Sequence, residues 1–394
     1  MSQKIDISII SSGANLADAR LHRLTAALLR SGLRVEIFAP GKAADAPRAL
    51  DSANALFIRK PWFATNWRRT NLIARYYRSR LFVLRSKGRV LYAISPEAIA
   101  PAYGHTRILR RKFAVDLYED YLQLLKDRAW ATKYFGLVGM IAKSDTRSAL
   151  WFAKRADLTT VADIQVPPMT AKNRLVVRNL PDTSMLTSSG ERDQTPRAIY
   201  IGDLRKSRGL HAMLRIAELA PDWEFDFVGN VAAIDQPYVD QWLIEHDMPV
   251  LADQSAFREV NLPSEPMRPR VRFHGRLAPA DSWKYAAGAW VGLSLLESTP
   301  AFIDAVPSKL YEYMSIGLAS ITSPLPRCVE LIAASQSGAV AQSPEIAAEY
   351  LNNWAKNPEQ IDEIRNSASR WAAGHLDSER EYANFAAEMV KLTR

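Results

Sequence analysis

Short apolar runs that alternate with helical patterns extend through the whole chain and constrain its fold most strongly. These runs are nearly continuous in hydrophobic residues, as in KIDISII and RVEIFAP. Strands of that composition are buried on both faces by helices, which is typical of parallel sheets. The alternation therefore predicts an α/β protein with doubly wound parallel sheets. The predicted strands are 4–10, 34–40, 53–60, 89–94, 113–118, 157–162, 174–179, 197–204, 223–230, 270–275, 290–296, 318–323 and 338–341.

A polar stretch divides this pattern into two halves. The sequence PDTSMLTSSGERDQTP at 181–196 is rich in Ser, Thr, Pro and charge, which indicates an interdomain linker. We predict an N-terminal domain at 1–182 and a C-terminal domain at 197–375. A final helix at about 376–394 is expected to pack back on the first domain. Residues 231–268 are polar and proline-containing, which indicates a partly helical insertion.

Composition and charge exclude several classes of protein. The chain is 48% hydrophobic and 24% charged, which excludes a disordered or collagen-like protein. Its single cysteine, Cys328, excludes an internal disulfide and a cysteine-rich zinc site. The sequence contains no uncharged run of 18 apolar residues, so we expect no transmembrane helix. The apolar N-terminal run is too short for a signal peptide. We therefore expect a cytoplasmic protein.

The net charge of +9 favours an anionic partner, which could be a nucleotide, a phosphate, an acidic lipid or a nucleic acid. Between Arg59 and Lys112 the chain has 14 Lys and Arg residues and one acidic residue, Glu97. No zinc-finger spacing or RNP-like aromatic string is present, so we expect no nucleic-acid partner. A helical wheel of residues 67–90 places four arginines on one face, Arg68, Arg75, Arg78 and Arg85.

The same wheel places Leu72, Ile73, Tyr76, Tyr77 and Leu84 broadly opposite these arginines. A basic amphipathic helix can lie in the interface of an anionic membrane, here at the cytoplasmic face. The alternative is a half-buried helix with a solvated arginine face.

The segment DAVPSKLYEYMSIGLASITSP at 304–324 contains the most informative spacing. Pro307 suits the first turn of a helix, and Lys309 and Glu312 then share one face near its positive end. Such a helix start can hold a phosphate, and a carboxylate there can accept the hydroxyls of a ribose. Asp304, just before the helix, could accept sugar hydroxyls. The alternative is an ordinary surface Lys and Glu with a capping Asp.

VPSKLYEYMSIGL resembles the P-[ST]-K-L-x-E-Y-M-x-x-G-L stretch of the retaining GT-B glycosyltransferases of group 1, which use nucleotide sugars. Asp304 and Glu312 resemble the two acids of that family, which have seven residues between them. YIGDLRKSRGL, FVGN and FHGRL resemble later family segments, and VDLYEDY, TVAD and VVRNLPD resemble earlier ones. The resemblance extends from about residue 5 to 345 and follows the family order.

This resemblance implies a GT-B fold, in which two Rossmann-like domains with doubly wound parallel sheets face each other across a cleft. It also implies transfer of a sugar from a nucleotide-diphosphate donor to a hydroxyl acceptor, with retention of configuration and no metal or other cofactor. The sequence has no Asp-x-Asp metal motif in a suitable loop, which agrees with a metal-independent reaction. The acceptor would be a glycan or a lipid-linked molecule, as in polysaccharide biosynthesis.

The resemblance assigns individual roles as well. Glu312 would bind the donor ribose, Asp304 the sugar hydroxyls, and Lys309 and Arg208 the diphosphate. The remaining donor-side candidates are Arg205, Ser308 and Gly13, the last of which would allow backbone to approach the sugar phosphate. Alternatively, Arg205 and Arg208 could be charges at the edge of a helix, and Gly13 could end a strand without any role in binding.

Two positions depart from the family pattern. Tyr118, in DLYED, replaces a histidine that faces the donor sugar in relatives, and Asp203 stands where many members have Arg. Tyr118 could take a catalytic hydrogen-bonding role or simply pack. These departures leave open a non-catalytic relative that binds nucleotide sugars. A nucleotide-sugar epimerase of the same architecture is a second alternative, but the six histidines form no clear acid–base constellation.

Overall fold

The chain divides into two α/β units. The structure, a computed structural model, describes residues 4–11, 16, 18–42, 46–47, 55–59, 72–126, 136–181, 186–247, 270–277 and 279–394. The first unit contains Met1–Asn179 and Glu379–Arg394, and the second contains Leu180–Ser378. Residues 186–196, which the sequence assigned to a linker, lie within the second unit.

The first unit contains a parallel sheet of seven strands in the order β3-β2-β1-β4-β5-β6-β7. In the central strands, Ile7 lies between Val35 and Val90. The four residues of β1 are fully buried, which explains why its sequence has no polar alternation. The strands are β1 (Ile7–Ile10), β2 (Val35–Phe38), β3 (Leu56–Ile58), β4 (Val90–Ala93), β5 (Lys112–Leu117), β6 (Leu158–Val161) and β7 (Arg174–Val176).

Helices cover both faces of this sheet. The described helices of this unit are α1 (Ala19–Arg30), α2 (Leu72–Arg85), α3 (Pro96–Leu109), α4 (Tyr121–Lys126), α5 (Leu137–Ala153) and α13 (Ser378–Thr393). Leu24 of α1 and Phe385 of α13 belong to the core on one face, and Phe82 of α2, Ile99 of α3 and Ala149 of α5 to the core on the other. The last helix of the chain therefore completes the core of the first unit.

The second unit contains a parallel sheet of six strands in the order β10-β9-β8-β11-β12-β13. Its strands are β8 (Arg197–Ile201), β9 (Glu224–Val228), β10 (Arg270–Gly275), β11 (Val291–Ser294), β12 (Ala319–Thr322) and β13 (Gly338–Val340). The strand order reverses between β8 and β11, which makes this pair the topological switch point. The prediction of doubly wound parallel sheets is confirmed, and each predicted strand overlaps an observed one.

The helices of the second unit cover its sheet from both faces. Those among its described residues are α6 (Leu210–Leu219), α7 (Gln236–Glu245), α8 (Pro279–Lys284), α9 (Ser308–Ser315), α10 (Pro326–Ser335), α11 (Pro344–Lys356) and α12 (Pro358–His375). Helix α7 lies in the predicted insertion at 231–268, and residues 248–269 lie outside the described residues. Within the part of the chain that the structure describes, no helix is both long and apolar enough to cross a bilayer.

The exposed face of α2 includes two of the apolar residues of the helical wheel. Tyr77 and Leu84, which the wheel places broadly opposite the arginines, are each 62% exposed. The buried positions instead include Phe82 and Val83, which pack with α3 and the sheet. A helical wheel shows only which residues share a face of the helix. Contact with α3 and the sheet determines which of these faces is buried.

The four arginines of the predicted surface differ in their placement. Arg85 is exposed and Arg78 is half-buried. Arg75 lies in α2, but its side chain is outside the described part, as is the whole of Arg68. The exposed face of α2 therefore combines basic residues with large apolar ones.

Asp145 of α5 is a carboxylate in an unfavourable position between two helices. It is half-buried, and burial followed by the charge of Glu97 in α3 raises the pKa of Asp145 to about 6. The ionised form is therefore disfavoured in the folded protein.

Asp145→Asn should stabilise the protein at pH 7.5. Because the folded pKa is raised above the unfolded value of about 3.9, wild-type stability falls as pH rises from about 4 to 6. The variant avoids this cost, so we expect a gain of about 1–2 kcal/mol at pH 7.5 that disappears below pH 4. Urea denaturation at pH 7.5 and at pH 3.5 measures the gain in the free energy of unfolding. Asp222→Asn, at an exposed position, is the control. A gain that persists at pH 3.5 would contradict the assignment.

Candidate functional site

The chain segments that follow β8 and β11 lie side by side at the carboxyl edge of the second sheet. Strands β8 and β11 are hydrogen-bonded neighbours, so their following loops start at the same edge. The backbone N–H of Glu297 donates to the carbonyl of Ser207 over 3.0 Å, which ties the two loops together. Ligands of open parallel sheets bind at such a switch point.

This contact requires a glycine at position 209. Gly209 has a φ of +88°, and a Cβ there would lie 2.2 Å from the carbonyl oxygen of Leu295. Any side chain would therefore separate the two loops. Gly209 was not among the predicted site residues, although it follows the candidate Arg208 directly in SRGL.

Helix α9 starts from the second of these loops. Pro307 has a ψ of 132° and precedes the helix, so the first helical residue is Ser308 rather than Pro307. The sequence placed Pro307 inside the first turn because its φ suits either position. The helix buries Tyr313 against β8 and β9, and it buries Leu310 and Met314 against α10 and α12. Its amino end consequently lies at the same edge as the loop after β8.

Lys309 is a buried cation at this amino end. Only 8% of the residue is exposed, and its Nζ lies 4.4 Å from the centroid of the Tyr200 ring. The ammonium also donates to the Tyr200 hydroxyl over 3.5 Å. Among the described residues it forms no ion pair with a carboxylate. Burying an ammonium without a counter-charge is costly, so this position favours an anionic ligand.

The two arginines of the loop after β8 have different surroundings. Arg205 forms an ion pair with Asp203 over 3.5 Å. Arg208 is half-buried at the end of a short 3-10 turn, Lys206–Arg208, and its side chain makes no hydrogen bond or ion pair within the described residues. Arg208 thus adds a second uncompensated cation to this edge.

The other predicted donor-side residues occupy α9 and the turn before it. Glu312 and Ser308 are half-buried, with Glu312 one turn after Lys309. The side chain of Asp304 is exposed, while its carbonyl accepts a hydrogen bond from Arg327 over 3.0 Å. The structure therefore brings a lysine, an acid and a hydroxyl together on one short helix.

Tyr118 belongs to the first unit, directly after β5. Its ring lies 5.8 Å from that of Tyr121 in an edge-on arrangement. Burial, and then the charges of Asp18 and Glu119, raise the pKa of Tyr118 above its ordinary value, so the phenol stays neutral. Gly13 lies outside the described residues.

A buried ion pair supports the chain just before Tyr118. Arg20 of α1 binds Asp116 of β5 through two hydrogen bonds of 2.7 and 2.6 Å. Arg20 also donates to the carbonyl of Val177 and to Asn179, the last residue of this part of the unit. Burial would lower the pKa of Arg20, but Asp116 raises it instead. Sequence reasoning missed this pair because its members are 96 positions apart.

Comparison with known proteins gives a family for the second unit. Residues 183–371 match the profile of the family described as Glycosyl transferases group 1. No curated protein sequence matches the chain.

Solved structures share the two-unit fold over almost the whole chain. A sucrose-phosphate synthase from Thermosynechococcus elongatus has a TM-score of 0.67 at 12% identity, with 98% of this chain and 99% of that chain covered. Anabaena HepE, in complex with UDP and glucose, has a TM-score of 0.65 at 16% identity, with 98% and 99% covered. These likenesses identify the architecture as GT-B.

A putative UDP-N-acetylglucosamine 2-epimerase from Listeria monocytogenes also shares the fold. Its TM-score is 0.56 at 12% identity, with 97% of this chain and 95% of that chain covered. The fold alone therefore does not separate transferases from epimerases, whereas the family match does.

Gly209→Ala should destabilise the second unit strongly. The positive φ and the approach to the Leu295 carbonyl both oppose a Cβ, so we expect a loss of about 2–4 kcal/mol. Gly374→Ala is the matched control, because a Cβ at this position in α12 meets nothing within 4 Å. There the change should be neutral or stabilising by up to about 1 kcal/mol. Guanidinium denaturation measures both variants, and equal stability of the two would contradict the required loop contact.

Proposed function

We infer that this chain is a group 1 glycosyltransferase, because residues 183–371 match that family, and we propose that it transfers a sugar from a nucleotide-diphosphate donor to an acceptor hydroxyl. The observation that carries the proposal is the buried Lys309 ammonium, which has no described carboxylate partner and lies beside the switch point of the second sheet. We further propose that the anomeric configuration is retained, because segment 304–324 resembles retaining members of the family.

The leaving group defines what the site has to do. As the bond between the anomeric carbon and the diphosphate breaks, negative charge develops on the departing oxygen. Lys309, Arg208 and the N–H groups at the start of α9 would stabilise that charge without a metal ion. The acceptor oxygen then forms the new bond on the same face of the sugar, and its proton passes to the departing phosphate.

The donor is proposed to lie along α9. Glu312 would accept the ribose hydroxyls, Ser308 would contribute to the phosphate end, and Asp304 would bind the sugar hydroxyls. Arg205 is the less suitable phosphate ligand because Asp203 already neutralises it. The UDP and glucose in the HepE complex support a nucleoside diphosphate as leaving group.

Tyr118 is proposed to act in the first unit as a neutral hydrogen-bonding group. Its raised pKa keeps the phenol protonated, so it can donate one hydrogen bond to a sugar or acceptor oxygen. Unlike an imidazole, it would add no positive charge near neutral pH.

The acceptor is proposed to be a glycan, and in particular a lipid-linked one at an anionic membrane. The support is the surface of the first unit. Exposed arginines Arg80 and Arg85 of α2 lie on one helix with the exposed Tyr77 and Leu84. Helix α5 exposes a further apolar stripe, formed by Leu137, Met140 and Ile141. Apolar side chains that enter the interface beside cations suit an anionic bilayer.

Glu312→Ala should weaken nucleotide binding without unfolding the protein. Losing charge-assisted hydrogen bonds to ribose should reduce affinity about tenfold or more. A thermal-shift screen of UDP, GDP, ADP and dTDP sugars first selects the donor. Calorimetry then compares the nucleotide affinity of the wild type with that of Glu312→Ala. Glu330→Ala, at an exposed position on α10, is the control.

Transfer by the wild-type protein is then measured in EDTA, where we expect full activity. Loss restored by Mg²⁺ or Mn²⁺ would overturn the metal-independent proposal. Nucleotide binding without transfer or donor hydrolysis would favour the non-catalytic alternative, and unchanged affinity of Glu312→Ala would remove the ribose role.

Reversing two charges on α2 should weaken membrane binding. Each basic side chain near an anionic surface contributes about 1 kcal/mol, so Arg80→Glu with Arg85→Glu should reduce vesicle binding by more than about tenfold. Sedimentation with phosphatidylglycerol vesicles measures the effect. The control, Lys356→Glu with Arg370→Glu, makes the same change in net charge on the second unit. If wild type does not sediment with these vesicles, the membrane proposal is wrong.

A further inference from the structure

Tyr200 of β8 is placed to hold Lys309 in one position. The residue is fully buried in the core of the second unit, and its ring contacts the Lys309 ammonium at 4.4 Å from the centroid. Its hydroxyl donates to the carbonyl of Asp203 over 3.0 Å, which fixes the ring against the turn that follows the strand. A cation over an aromatic face is attracted by the ring, more strongly where water is excluded.

The turn itself is shaped to leave room for this ammonium. Gly202 has a φ of +144°, and a Cβ there would lie 3.1 Å from the Lys309 Nζ and 3.5 Å from the Tyr200 hydroxyl. The ammonium therefore lies between an aromatic ring and bare backbone, at the carboxyl end of a central strand.

The residue after Gly202 adds no net positive charge to this turn. Asp203 occupies the position where relatives were expected to have arginine, and it forms an ion pair with Arg205. Positions 203 and 205 thus cancel each other's charge. Lys309 reaches the same turn from α9.

We propose that Tyr200 is a positioning residue that holds the Lys309 ammonium beside the Gly202 turn, where Lys309 supplies to the donor diphosphate the positive charge that residue 203 does not. This inference rests on the proposed donor site. It adds a residue of the buried core, Tyr200, to the groups that determine how the diphosphate is bound.

Replacing the Tyr200 ring should weaken binding of the diphosphate specifically. UDP, GDP, ADP and dTDP are titrated by calorimetry, together with the matching nucleosides. For the nucleotides that wild type binds, Tyr200→Leu should reduce affinity about tenfold, and Tyr200→Phe, which keeps the ring, by less than about threefold. Affinity for the nucleoside should not change.

Phe225→Leu is the matched control for a core defect. Phe225 is fully buried in the same core and lies on the neighbouring strand β9, so its replacement removes a comparable ring away from Lys309. An equal loss of diphosphate affinity in this variant, or no loss in Tyr200→Leu, would overturn the inference.

A double-mutant cycle tests whether Tyr200 acts through Lys309. In a Lys309→Gln background, Tyr200→Leu should have no further effect on diphosphate affinity, since the group that it positions is absent. Fully additive losses would mean that Tyr200 acts by another route, and would contradict the proposal.

Chemical labelling of Lys309 separates this inference from the donor site. Acetic anhydride at low conversion, followed by peptide mass spectrometry, compares Lys309 with the exposed Lys356. Lys309 should react slowly in wild type and in Phe225→Leu, and faster in Tyr200→Leu. If labelling responds in this way but wild type binds none of the four nucleotides, the positioning stands and the donor site fails. If nucleotides bind but neither labelling nor affinity responds to Tyr200→Leu, the donor site stands and the positioning role of Tyr200 is overturned.

Discussion

The close approach of two loops at the carboxyl edge of the second sheet is the constraint from which the candidate site follows. Strands β8 and β11 are parallel neighbours, so the loops that leave them start at one edge. The absence of a side chain at Gly209 then allows the backbone at Leu295 to lie against the first loop. Because α9 is reached from the second loop, this contact brings Lys309 to the end of β8. The charge of the site is therefore a consequence of backbone packing.

Much of this architecture could be predicted from the sequence because it depends on local pattern. Strands buried on two faces have continuous apolar runs, and the start of α9 was predicted to within one residue from Pro307. The role of Tyr200 could not be predicted, since a tyrosine in a buried strand has the same pattern as any core aromatic residue. The buried side of α2 could not be predicted from a helical wheel, because burial there depends on contact with α3 and the sheet. Tertiary neighbours decide both cases.

The first unit contributes groups of a different electrostatic kind. The charges of Arg20 and Asp116 neutralise each other beneath the end of β5, and Tyr118 above them is an uncharged phenol. The acids Asp18 and Glu119 oppose its ionisation further. A histidine at position 118 would titrate near neutral pH, whereas this phenol keeps one protonation state. In the proposed reaction, hydrogen bonding from the first unit would therefore be independent of pH over the neutral range.

Stabilisation of a leaving diphosphate must then come from the second unit, and the balance of charges at the end of β8 determines how much is available. Asp203 and Arg205 compensate each other, which leaves Arg208 and Lys309 as cations without a carboxylate partner among the described residues. A cation without a counter-charge is unfavourable where water is excluded, and the cost is greater for Lys309 because it is buried. A diphosphate would remove both costs, so its binding should stabilise the second unit as well as orient the donor. The cation–π contact with Tyr200 keeps Lys309 in this unfavourable position when no anion is bound, and preorganisation of that kind makes an electrostatic site effective for a leaving group.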